Sequence, residues 1–129
     1  MSSGDTVVSL RPYFKIHEGK KEEVMRFLPQ FYELSKDEPG SVHYAFSFAD
    51  DGIHFACIES YANSQAVSDH LQNVLDSLGK LLELCDLVRF EVHATAADME
   101  ILKGNKVLTD TGAIFFTLDG KGWRKSVGS

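Results

Sequence analysis

From residue 7, VVSLRPYFKIH alternates: Val8, Leu10, Phe14 and Ile16 fall on one side, Arg11, Tyr13, Lys15 and His17 on the other. That is the period of a half-buried strand. Pro12 has no N–H for a ladder, so an edge position or a bulge is expected there. The period then lengthens. In KKEEVMRFLPQFYELSKDEPG, Val24, Phe27, Leu28 and Phe31 take helical spacing, with Leu34 close to the same stripe. Gly19 reads as the cap, Glu22 and Glu23 near the start and Lys36 near the end suit the macrodipole, Pro29 predicts a kink, and Pro39-Gly40 a firm stop. SVHYAFSF (41–48) alternates again, with Val42, Tyr44, Phe46 and Phe48 against His43, Ala45 and Ser47. Asp51-Gly52 reads as a hairpin turn into IHFACIESY.

A second helix, capped by Asn63 or Ser64, carries Val67, His70, Leu71, Val74, Leu75 and Leu78; Gly79 is expected to interrupt it, with KLLELC as a short continuation. LVRFEVHA (87–94) predicts a fourth strand, with Val88, Phe90 and Val92 opposite Leu87, Arg89, Glu91 and His93. TAADMEIL reads as one or two helical turns with Thr95 as cap and Asp98 at N3. GAIFFTLDG (112–120) predicts a fifth strand and KGWRKSVGS a tail. The order β-α-β-β-α-β predicts an α+β, ferredoxin-like antiparallel sheet with both helices on one face. We read 1–129 as one domain, with a core at about 7–94 and an extension over 95–129. The other face, with Arg11, Tyr13, Ala45, Ala56, Ile58 and Glu91, is too apolar and too small-sided for free exposure. It suits packing against a second copy of the chain.

Composition narrows the function classes. A net charge of −6 without a Lys/Arg cluster argues against nucleic-acid binding. Cys57 and Cys85 form no C-x-x-C pair and read as small hydrophobes in a reducing cytoplasm. MSSGDTVVSL lacks the pattern of a signal peptide, and no apolar run approaches the ~20 residues of a membrane span. A cytoplasmic protein with no membrane partner is expected.

No phosphate-binding or dinucleotide glycine motif and no nucleophile elbow is present. His43, His54 and His93 share strand parity, but none of the five histidines has metal-ligand spacing, so no metal site is predicted. The chemistry concentrates in FACIESYANSQAVSDH (55–70). Counting by twos from Phe55 reaches Cys57, Glu59 and Tyr61, and helical counting from Val67 brings His70 onto the core face. With Tyr44, Phe27 and Phe31 opposite, these residues would wall an apolar pocket holding a carboxylate, an imidazole and one or two phenols. Burial would raise the Glu59 pKa and a nearby His70 would oppose that shift. Two plainer readings stand beside this one: Glu59 facing solvent or capping the next turn, and His70 bonded to a backbone carbonyl.

EPGSVHYAFSF, the hairpin into FACIESYANSQAVSDH and the strand VRFEVHA, in that order, resemble the antibiotic biosynthesis monooxygenase family over about residues 7–94. The resemblance implies a homodimeric α+β barrel whose members oxidise electron-rich aromatic substrates such as quinols or anthrones with O2, without metal, flavin or other cofactor. It implies His70 as base or hydrogen-bond partner and Glu59 as its orienter. Tyr61, Tyr44, Phe27, Phe31, Phe55 and Asn63 would contact a small aromatic substrate. Haem-degrading relatives use a Trp on the third strand and an Asn on the first. Here the single Trp is Trp123 in the tail and VVSLRPYFKIH has no Asn, so haem degradation is disfavoured. The expected function is a cofactor-independent monooxygenase; the alternative is a non-catalytic or isomerase-like small-molecule-binding dimer of the same fold.

Overall fold

A computed structural model describes residues 5–127; the first four residues of MSSGDTVVSL and the last two of KGWRKSVGS lie outside them. The strands are β1 (Val8–Ile16), β2 (Ser41–Phe48), β3 (His54–Tyr61), β4 (Cys85–Ala94) and β5 (Ile114–Thr117). The helices are α1 (Lys21–Phe27), α2 (Pro29–Ser35), α3 (Ser64–Leu81), α4 (Ala96–Leu102) and α5 (Lys106–Asp110). One sheet forms in the order β2-β3-β1-β4-β5, antiparallel except for β5, which runs parallel to β4. The expected α+β, ferredoxin-like fold is the one observed.

Several local expectations are corrected. Pro12 lies in the central strand, not at an edge. Pairing of β1 with β3 covers 8–10 and 13–15 and skips Arg11 and Pro12, because Pro12 cannot donate to the ladder. A bulge follows at Tyr13/Phe14, where Tyr13 faces Arg89 but Phe14 faces Leu87. The skipped residue, Val88, reverses parity on β4, so Leu87 turns inward and Val88 outward. A similar irregularity between Ser41 and His43 accompanies an exposed Val42.

The first predicted helix is two helices, because Pro29 starts α2 at its first position, where a missing N–H costs nothing. Its cap is Lys20 without a side-chain bond, while Gly19 takes a positive φ of 77° in the turn before it. Helix α3 runs through Gly79 unbroken, with Asn63 accepting from the Ala66 amide at its start. Gly79 is exposed and nothing lies against it, so only the small entropic penalty of a helical glycine applies. Residues 82–84 form a turn, and Cys85 begins β4.

Thr95 caps α4 as expected. Helix α5 has no expected counterpart; Leu108 from it joins Met99 and Leu102 of α4 in the core around Val8, Leu10, Tyr61 and Val92. A second cluster gathers Phe14, Val24, Leu28, Phe31, Phe55, Val74 and Leu81. Both lie between the sheet and the helices, and the polar residues discussed below sit where they meet. No helix among the described residues is long and apolar enough to cross a membrane.

Candidate functional site

Strand alternation drives Glu59 inward. Its neighbours in the sheet are Leu10 on β1 and Tyr44 on β2, and only 5% of the residue remains exposed. Tyr61 follows two positions later on the same face, and its hydroxyl donates to Glu59 Oε1 at 2.7 Å. His70 sits on the buried stripe of α3 with Val67, Leu71 and Val74, and is 2% exposed. Its Nε2 lies 3.5 Å from Glu59 Oε1. The solvent-facing alternative for Glu59 does not occur.

The other ring nitrogen does not meet a backbone carbonyl. His70 Nδ1 lies 2.8 and 2.9 Å from the two carboxylate oxygens of Glu38, in the corner between α2 and β2. Asn73, one turn beyond His70 on α3, donates to Glu38 Oε2 at 2.8 Å and to the Leu34 carbonyl at 2.7 Å. The close approach of α3 to this corner needs a glycine: a Cβ at Gly40 would run into the Ala66 methyl. Neither Glu38 nor Asn73 is marked by the hydrophobic pattern of the chain. The i, i+3 spacing of His70 and Asn73 is the only local signal, and it becomes meaningful once Pro39-Gly40 turns Glu38 toward α3.

Burial is the dominant electrostatic effect. It pushes the Glu59 carboxyl above its ordinary value of 4.5, against the opposing pull of His70 and the Tyr61 hydrogen bond. The Tyr61 and Tyr44 phenols and the Cys57 thiol are also pushed up, first by burial and then by the Glu59 charge. Glu59 is thus held toward its neutral, proton-carrying form beside an imidazole. Tyr44 and Tyr61 flank that imidazole, with ring centroids at 5.2 and 5.1 Å.

Glu59 and His70 open onto a cavity of about 40 Å³, walled by Tyr44, Cys57, Phe31, Phe46 and a run of leucines from α3 and β4. The skipped pairing at Pro12 and the inward turn of Leu87 both border it. At ~10–15 Å³ per water it takes a few waters, against ~300 Å³ or more for an ordinary ligand pocket. The pocket is where the sequence places it but closed to a phenol. Four of its walls, Tyr44, Phe46, Leu78 and Leu87, are only half-buried, and Tyr44 and Phe46 belong to the edge strand β2.

Tyr44, Phe31, Glu59, His70 and Tyr61 therefore converge. Phe27 packs edge-on against Phe31 behind the cavity wall, and Phe55 stacks on Phe14 in the core at 4.8 Å. Asn63 is spent on capping α3. The three histidines sharing strand parity are separated: His54 pairs with Asp51 at 2.6 Å, His93 with Glu91 at 3.0 Å, and His43 is exposed. Among the described residues no group of three His, Cys, Asp or Glu is placed to hold a metal ion.

No family model and no curated protein sequence matches this chain. Solved structures do. MupZ from Pseudomonas fluorescens is 30% identical, with 97% of this chain and 100% of that one covered at a TM-score of 0.85. SnoaB, a cofactor-independent oxygenase from Streptomyces nogalater, shares the fold at 18% identity and a TM-score of 0.58, over 68% of this chain and 89% of its own. A Nitrosomonas europaea protein provisionally described as an antibiotic biosynthesis monooxygenase does so at 15% identity and 0.64, over 74% and 95%. With one relative 30% identical and aligned end to end, the chain belongs to the same family as MupZ, and its fold is the one found in SnoaB and in the Nitrosomonas europaea protein.

Proposed function

We propose that this protein is a cofactor-independent oxygenase that acts on a small, mostly apolar phenol or quinol. The observation that carries the reading is the Glu59–His70 pair, one buried acid and one imidazole, facing an otherwise apolar cavity. His70 Nε2 takes the substrate's O–H proton, and the resulting imidazolium is stabilised by the Glu38 carboxylate at Nδ1. The phenolate then reduces O2 within the apolar site. One oxygen atom enters the ring and the other leaves as water: for a phenol, a ring C–H becomes C=O while the phenol C–OH becomes a second C=O, with all four electrons drawn from the substrate. Tyr61 keeps Glu59 aimed at His70, and Tyr44, Phe31 and Phe46 enclose the ring. The similarity to SnoaB supports oxygenase chemistry on this fold. For a substrate to enter, Tyr44 and Phe46 on the edge strand must swing aside.

The second reading is a proton-transfer enzyme, such as an isomerase, that needs no oxygen. An acid and a base 3.5 Å apart can deliver a proton to one atom of a substrate while removing one from another. Oxygen uptake with a panel of quinols and anthrones, in metal-free buffer, separates the two. Uptake that disappears in His70→Ala is expected. Substrate turnover under argon at an undiminished rate would transfer the assignment to the second reading. In either case the homodimer is formed by the outer sheet face, where Val88, Ile114 and Phe116 lie exposed beside Arg89 and Glu91.

A further inference from the structure

Glu38 stands on the side of His70 away from the cavity. An ionised carboxylate accepts hydrogen bonds and donates none, and one of its oxygens already accepts from Asn73. Facing both oxygens at 2.8 and 2.9 Å, His70 Nδ1 is left with the donor's role. The Asn73 amide has no freedom to alter this, because its nitrogen serves two acceptors, Glu38 and the Leu34 carbonyl. On the other side of the ring, Nε2 points toward Glu59. The Glu38 side chain is 13% exposed, against 2% for His70, so its charge keeps some contact with water while acting on a buried ring. That combination lowers the desolvation cost that a fully buried carboxylate would carry.

We propose that Glu38, anchored by Asn73, is the positioning residue of the site: it fixes His70 as the Nδ1–H tautomer, leaving Nε2 for the substrate, and stabilises the imidazolium formed on proton uptake. The role rests on the acid–base reading of Glu59 and His70 and adds to it where the base gets its orientation. Gly40 belongs to the same device, since the α3 approach it permits brings His70 and Asn73 to Glu38. Glu38→Gln keeps an acceptor for Nδ1–H but removes the charge, whereas Glu38→Ala removes both.

Imidazole nitrogen spectroscopy on the full chain tests this without any substrate. The wild type is expected to show a protonated Nδ1 on His70, Glu38→Gln to retain it, and Glu38→Ala to populate the opposite tautomer. A bare Nδ1 in the wild type, or an unchanged tautomer in Glu38→Ala, would overturn the assignment. Should Glu38→Ala not fold, the wild-type and Glu38→Gln spectra still decide it, a bare Nδ1 in either being sufficient to refute. On whichever substrate turns over, Glu38→Ala is expected to lower kcat roughly 100-fold with KM nearly unchanged. A rise in KM at constant kcat would mean a binding role and refute positioning. The spectra stand even if oxygen chemistry fails, so the two readings fail separately.

Discussion

The two faces of the sheet each carry a glutamate beside a histidine, and they treat it in opposite ways. On the inner face Glu59 meets His70 among apolar side chains, and burial raises its pKa. On the outer face Glu91 meets His93 at 3.0 Å and Arg89 at 2.6 Å, and these hydrogen bonds, that of His93 first, lower its pKa. The residue types match; the hydrogen bonds of His93 and of the Arg89 guanidinium make the difference. Glu91 is a settled anion in a surface network, the arrangement that contributes little to stability and nothing to proton transfer. Glu59 keeps a proton within reach of a base, the property a catalytic carboxyl needs.

The same substitution on both faces gives the largest contrast. Glu59→Gln is expected to lower kcat/KM by about 100-fold or more, in line with the loss of a general acid–base group, while Glu91→Gln leaves it unchanged. Steady-state kinetics on the substrate found by oxygen uptake checks both, and equal losses would erase the distinction. The outer face has its own large effect: if the proposed homodimer forms there, the wild type is expected to sediment as a dimer and Val88→Glu as a monomer, whereas an undisturbed dimer would place the interface elsewhere and a monomeric wild type would refute it.

Gly40→Ala attacks the scaffold of the inner site. Forcing a methyl against Ala66 should cost about 1–3 kcal/mol in urea unfolding, the usual range for overpacking, whereas the open Gly79→Ala should gain about 0.5–1 kcal/mol. The smallest effect is a pH slope that differs in sign between the faces. Above pH 4.5 folded Glu59 retains a proton that the unfolded chain has released, so the wild type loses stability relative to Glu59→Gln as pH rises through that window. Folded Glu91 is ionised below 4.5, where the unfolded chain is protonated. Its contribution is complete above 4.5, and the wild type loses stability relative to Glu91→Gln as pH falls. Urea titrations of the three proteins across roughly pH 3–7 would show both slopes.

Alternation and helical spacing were enough to place the five strands, the long second helix and the inward aim of Glu59 and His70. Each is a local consequence of side-chain period, and one buried face makes a slip of register costly. The order of short motifs carries a resemblance, and with it the fold. Where a single residue breaks the period, local reading fails: alternation puts Val88 on the inner face, but a bulge adds one residue and flips the positions before it.

What the sequence by itself determined is therefore the layer in which each chemical group lies. Only the tertiary structure decided which groups meet. Glu38 reaches His70 across 32 positions of chain, and Asn73 reaches Glu38 across 35, through a turn that depends on the missing methyl of Gly40. No period in the chain records such a meeting, because it comes from the packing of a helix against a corner. The volume of the cavity was equally beyond reach, since it is the residue of many side chains closing on one another and leaves room for only a few waters.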